Sequence, residues 1–133
     1  MKKPKIKTLK TKLDRVFSEY IRLRDSDSFG NCTCITCGKE LPWREIHNGH
    51  WISRAKLNTR FDERNCSAQC CGCNTFKNGE PQKYWIAMEE KYGREIMDEL
   101  ILKSNEIIKL TPDWYREKIS YYNDIVKGYK DCF

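Results

Sequence analysis

Leu9, Leu13, Val16, Tyr20 and Leu23 fall at the 4,3,4,3 spacing of one apolar helical face, with Arg15, Arg22 and Arg24 off the stripe. The pattern predicts a helix entered through a basic arm (Lys2, Lys3, Lys5, Lys7, Lys10 and Lys12) and ended by the polar run 25–30. Residues 31–79 lose this periodicity. They are rich in Cys, Asn and Gly, with brief strand-like runs at 43–46 and 51–53 and too little apolar surface to fold unaided. Asn48-Gly49 reads as a hairpin turn that would leave His47 and His50 flanking it, close enough to share a site. Helical patterning returns after Gly79: Pro81 suits a first turn, Tyr84, Trp85, Met88 and Tyr92 supply a buried side, and Gly93 closes the segment. A second helix is expected over about 94–106. A third starts with Thr111 as N-cap and Pro112 at its first position, carrying Tyr115, Ile119, Tyr122, Val126 and Tyr129 on one stripe.

The expected class is α+β within one compact domain. Its parts are a basic arm and helix (1–29), a metal-held core (30–79) and a helical segment packed on that core (80–133). Apolar runs are short and interrupted, so no bilayer span is expected. The basic start is not followed by the apolar stretch of a secretory signal, which points to the cytoplasm. In a reducing compartment eight cysteines favour metal binding over a disulfide framework. Residues 1–78 hold 16 Lys/Arg against 8 Asp/Glu, whereas 79–133 hold 9 against 11. All the excess positive charge thus lies with the cysteine pairs and both histidines, as a polyanionic partner such as nucleic acid requires.

Cys34-Ile-Thr-Cys37 and Cys70-Cys-Gly-Cys73 are two C-x2-C knuckles, each offering two thiolates on a tight turn; together they complete the tetrahedron that zinc prefers. Cys71 could compete with Cys70, but only Cys70 keeps the x2 spacing to Cys73. Cys32 and Cys66 are spare, and Cys132 reads as a free thiol near the terminus. The long interval between the knuckles contains the only two histidines, His47 and His50.

C-x2-C, then His50, then Asn65-x4-Cys70-x2-Cys73-Asn74-x2-Lys77 resembles the HNH endonuclease motif, which implies a zinc-braced ββα-metal finger. Gly49-His50-Trp51-Ile52-Ser53-Arg54, Thr59-Arg60-Phe61 through Asn65, and Lys77-Asn-Gly79 are similar to the phage NinG (Rap) recombination endonuclease family. Tyr84 and Lys91-Tyr92-Gly93 continue the resemblance, which runs from about residue 30 onward and only weakly over the first helix.

The resemblance implies a structure-selective nuclease in a bacterial host cell that cuts branched recombination intermediates, D-loops and Holliday junctions among them. It implies that His50 is the general base, that Asn74 holds a catalytic Mg²⁺ or Mn²⁺, and that Asn65 orders the loop between hairpin and helix. Lys77, Arg54 and Arg60 are the expected phosphate contacts. Such residue types suit phosphodiester hydrolysis, which needs a base for water and a cation for the phosphate charge. One position departs from the pattern: the acidic ligand expected beside the base, or three residues before it, is here Gly49 or His47. Either His47 replaces the carboxylate as metal ligand, another acid such as Glu45 reaches in, or catalysis is weakened. Expected partners are branched or duplex DNA, and cutting a symmetric junction on two strands favours a homodimer. Two other readings stay open. One is a non-catalytic zinc-stabilised nucleic-acid-binding module; the other is a sequence-specific HNH nuclease, against which the lack of an obvious base-reading helix counts.

Overall fold

The computed structural model describes residues 5–133; the arm residues Lys2 and Lys3 lie outside them. Helix α1 covers Ile6–Arg24, and its buried side is Leu9, Leu13, Val16, Phe17, Ile21 and Leu23. Arg22 and Arg24 in the last turn complement the helix dipole, whereas the first turn has neither an acidic residue nor a side-chain cap. Packing therefore holds α1 more than local capping does.

Two short antiparallel hairpins follow. In the first, β1 (Asn31–Thr33) pairs with β2 (Glu40–Pro42), with Cys32 opposite Leu41. In the second, β3 (His47–His50) pairs with β4 (Cys66–Gln69), with His47 opposite Gln69 and His50 opposite Cys66. The loop joining β3 to β4 contains the short helix α2 (Leu57–Arg60) and a 3₁₀ turn at Glu63–Asn65. After β4 the chain enters a wide helical turn, Gly72–Phe76.

This arrangement corrects three local expectations. Residues 43–46 form a turn and 51–53 a bend; the strand lies between them. Asn48-Gly49 is extended and paired, not a hairpin turn, because the cross-strand partners of β4 outweigh its local turn preference. Asn65 sits in the loop between the two strands of the hairpin, not between hairpin and helix.

The C-terminal helices fall where the periodicity placed them: α3 spans Pro81–Tyr92, α4 spans Arg94–Ser104 and α5 spans Pro112–Lys130, but Trp85, expected on the buried side of α3, is exposed. Gly93, at φ 86°, separates α3 from α4 in a conformation that a side chain would strain. Thr111 Oγ1 accepts from the Trp114 amide at 3.1 Å and caps α5, whose Tyr115, Tyr122 and Val126 are buried.

Two apolar clusters hold the parts together. The larger joins α1, α5 and both hairpins, and includes an edge-to-face contact between Phe17 and Tyr122 at 5.1 Å. The smaller joins Tyr84, Met88, Met97 and Leu100 to Ile35, Trp51 and Ile52. The end of α1 also grips the second hairpin by polar bonds. Arg24 donates to the carbonyls of Glu63 and Cys66 at 2.8 and 2.7 Å, and Asp25 accepts from the Ala68 amide at 2.8 Å. Tyr20 and Tyr122 both donate to the Glu63 carboxylate, so the first and last helices meet on the loop that returns to β4.

Candidate metal centre and catalytic cavity

Cys34 and Cys37 lie on the turn between β1 and β2, and Cys70 and Cys73 on the turn after β4. Their four sulfurs lie within 4.8 Å of one another. The Cys37 and Cys70 sulfurs are 3.7 Å apart, against the roughly 3.8 Å between thiolates on a tetrahedral zinc with bonds of about 2.3 Å. Cys71 is outside the cluster, as the x2 spacing required, and all eight cysteines are free thiols.

The electrostatics of the cluster call for a cation. Burial raises the Cys34 thiol, but the Thr36 hydroxyl and the amides of Cys70, Cys37 and Thr36 outweigh it and bring Cys34 down to about 6. A hydrogen bond from the Lys39 backbone amide lowers Cys37, yet burial and the thiols of Cys34, Cys70 and Cys73 push it up to about 12. One thiolate forms at the expense of its neighbour. Only a cation such as Zn²⁺ lets all four ionise together.

The β3–β4 hairpin and the Gly72–Phe76 turn place His50, Arg54 and Asn74 on one cavity and His47 on an adjoining one that also holds Asn74. His50 Nε2 lies 2.9 Å from the Arg60 carbonyl oxygen. A carbonyl only accepts, so Nε2 carries the proton and Nδ1 keeps a free lone pair. Burial is the main cause of a His50 pKa lowered to about 4; the Arg60 carbonyl opposes it, and Arg54 and Arg60 add to it. His50 is therefore a neutral imidazole at physiological pH.

Asn74 Nδ2 lies 3.3 Å from His47 Nδ1. Half a turn of the amide exchanges Nδ2 for Oδ1, giving an oxygen and an imidazole nitrogen at the spacing of two ligands on one ion. Asn48, on the same strand, has a buried Oδ1 that no hydrogen bond satisfies. These neutral N and O donors fit a divalent cation, Mn²⁺ better than Mg²⁺, because imidazole is the softer ligand.

A cavity of about 630 Å³ is lined by His50, Asn74, Asn48, Arg54, Asp14 and Ser18, among others. A second, of about 370 Å³, contains His47, Glu45, Arg22 and Arg44 and shares Ser18, Asn48 and Asn74 with the first. Asn65 is fully buried beneath the loop. Its side chain accepts from the Ile52 amide at 2.8 Å and donates to the carbonyls of Ile52 and Thr59 at 3.0 and 3.1 Å. That set of bonds fixes the loop that carries the Arg60 carbonyl to His50.

Arg54 is exposed at the cavity and Lys77 is exposed one turn past Asn74. Arg60, expected at a phosphate, is engaged elsewhere: it pairs with Asp14 of α1, Nε to Oδ1 at 2.9 Å, and donates to the Arg54 carbonyl. Periodicity could not reveal this pair, since Asp14 lies off the apolar stripe of α1 like any solvated acid.

The missing carboxylate has a steric explanation. A Cβ at position 49 would lie 2.2 Å from Gln69 Oε1 and 2.8 Å from Gln69 Cβ. Gln69 is fixed there by Nε2 bonds to the Gly79 carbonyl at 2.9 Å and the Thr36 hydroxyl at 3.1 Å. Tyr84 donates to the Gly49 carbonyl at 2.7 Å, so α3 closes the same strand from outside. Position 49 has room for glycine alone. Among the described residues no helix is long and apolar enough to cross a membrane.

Comparison with known proteins agrees with the NinG resemblance. The chain is 37% identical over 82 residues to the ninG proteins of Escherichia phage 933W and Salmonella phage P22, and 35% identical to that of Escherichia phage lambda. The match covers 61% of this chain and 38% of each relative, so the chain spans well under half the length of these proteins. No solved structure matches. The family described as Bacteriophage Lambda NinG protein matches residues 1–131, and the chain belongs to it.

Proposed function

We propose that the chain is a metal-dependent endonuclease of the HNH kind that hydrolyses phosphodiesters in branched DNA recombination intermediates. The observation that carries this reading is His50: a neutral imidazole, its Nε2 proton held by the Arg60 carbonyl and its Nδ1 lone pair free, on a cavity shared with Asn74. This is the state a general base must have before it takes a proton from water.

His47 and Asn74 would hold the catalytic ion, with His47 standing where an acid is expected. When bound, the ion supplies positive charge against the phosphate oxygens. Nδ1 of His50 takes the proton of the attacking water, and the charge that forms on the ring is shared with the Arg60 carbonyl. Arg54, which lines the cavity, and the exposed Lys77, one turn past Asn74, bind the substrate phosphates. The basic surplus of residues 1–78 would make binding depend strongly on salt, with recognition by branch shape more than by base sequence. Two copies would cut the two strands of a symmetric junction.

The test is to incubate the purified, zinc-loaded chain with Mn²⁺ or Mg²⁺ and labelled linear duplex, D-loop and four-way junction, alongside His50→Ala. Cutting of the branched substrates, absent in the variant, is the expected result. Equal cutting of one linear sequence would favour a sequence-specific nuclease. Tight binding without cutting in either metal would leave a DNA-binding module on a nuclease scaffold.

A further inference from the structure

Three cations converge on one buried indole beside the smaller cavity. The Arg44 guanidinium lies 4.5 Å from the Trp43 ring centre, Arg22 5.7 Å and Lys130 Nζ 5.8 Å. Lys130 has its own carboxylate, Glu19, at 2.8 Å. Arg22 and Arg44 have none within ion-pair distance among the described residues. Arg24, Arg60, Arg64 and Arg116, by contrast, are all paired.

Arg22 is held rigidly. Nη1 donates to the Trp43 carbonyl at 2.9 Å and Nε to the Ser18 carbonyl at 3.1 Å, which leaves Nη2 uncommitted. Arg44 is exposed and lines the same cavity as Arg22. Only Glu45 among the acids lines this cavity. Like charges gathered around a buried ring repel one another, and an anion that enters between them relieves the repulsion. The cavity continues through Ser18, Asn48 and Asn74 into the one that holds His50.

We propose that Arg22 and Arg44 form a second phosphate site for the backbone of a bound DNA strand, next to the catalytic cavity. That DNA is the partner rests on the proposed function; the phosphate site does not require that the chain cut it. Arg22, rigid and forked, fixes the position of the phosphate, and Arg44 closes over it from the surface. With Arg54 on the adjoining cavity, the strand passes over His47 and Asn74 with a cation on either side.

The experiment is anisotropy titration of a labelled four-way junction by the full, zinc-loaded chain, without added Mn²⁺ or Mg²⁺, over a range of salt. Wild type is compared with Arg44→Ala, Arg44→Lys and the remote surface control Lys109→Ala. Arg44 is exposed, so its variants should fold, and thermal melting verifies this. Loss of one phosphate contact should flatten the log K against log salt slope of Arg44→Ala by about 0.7–0.9, with affinity falling on the order of fivefold. Arg44→Lys should keep most of the slope, and Lys109→Ala all of it. An Arg44→Ala slope and affinity equal to wild type would overturn the site. If that wild type also cuts the junction in Mn²⁺, the nuclease reading stands without it. Wild type that binds without cutting, with a flattened Arg44→Ala slope, retains the phosphate site and removes the nuclease. Wild type that binds no DNA removes both.

Discussion

The Arg60 carbonyl oxygen lies 2.9 Å from His50 Nε2, while the side chain of the same arginine is bound to Asp14 of α1. One residue thus fixes the tautomer of the candidate base with its backbone and anchors the loop to the first helix with its guanidinium. The basic character that made Arg60 look like a phosphate ligand is spent inside the protein. In cleavage assays on a four-way junction, His50→Ala should reduce the rate by about 10²–10⁴-fold. Affinity for the DNA should stay within twofold. A large loss of binding with unchanged turnover of the bound complex would remove His50 from the base role.

The low pKa of His50 also makes stability depend on pH. Between about 4, its value in the folded protein, and the ordinary 6.5, the unfolded chain binds a proton that the folded chain does not. The contribution of neutral His50 is therefore complete above about pH 6.5 and is lost as pH falls to about 4, by on the order of 3 kcal/mol. Urea unfolding at pH 6.5 and pH 5 should show wild type losing about 2 kcal/mol more than His50→Asn. Parallel losses in the two proteins would contradict the assignment.

Removal of zinc should unfold the segment between the knuckles, since β1, β2, β3 and β4 have three or four residues each. Mass spectrometry under native conditions should find one zinc per chain in wild type and in Cys71→Ser. Cys70→Ser and Cys34→Ser should lose the metal together with the strand signal in circular dichroism. Zinc loss in Cys71→Ser would mean that the wrong cysteine of the Cys70-Cys71 pair has been assigned.

His47→Asp restores a carboxylate beside Asn74. Harder oxygen ligation favours Mg²⁺, so the ratio of Mg²⁺- to Mn²⁺-supported cleavage should rise at least tenfold. An unchanged ratio would place the ion away from His47.

Gly49→Ala puts a Cβ against Gln69, whose amide nitrogen is held by two hydrogen bonds, and overpacking there should cost about 1–3 kcal/mol. Thermal denaturation measures the loss. Gly38→Ala has open space around its Cβ and differs only in its positive φ, which makes it the comparison for backbone strain alone. A stable Gly49→Ala would mean that Gln69 yields, and position 49 could then accept an acid.

Helices α1, α3, α4 and α5 were legible because periodicity, Pro81, Gly93 and the Thr111-Pro112 start act within a few residues of one another. The four clustered cysteines were legible for the same reason: a C-x2-C turn is a local chemical object, and the spacing chose Cys70 over Cys71. The hairpin was not. The turn preference of Asn48-Gly49 is local, but its strand conformation comes from β4, with Gly49 opposite Ser67. Only the tertiary structure decided the state of the site, because its parts are far apart in the chain. Asp14 meets Arg60 across 46 residues, Asn74 meets His47 across 27 and Arg22 meets Trp43 across 21. Whether a charged side chain is free for DNA or neutralised inside the fold depends on which partner packing brings to it, and no local pattern encodes that partner.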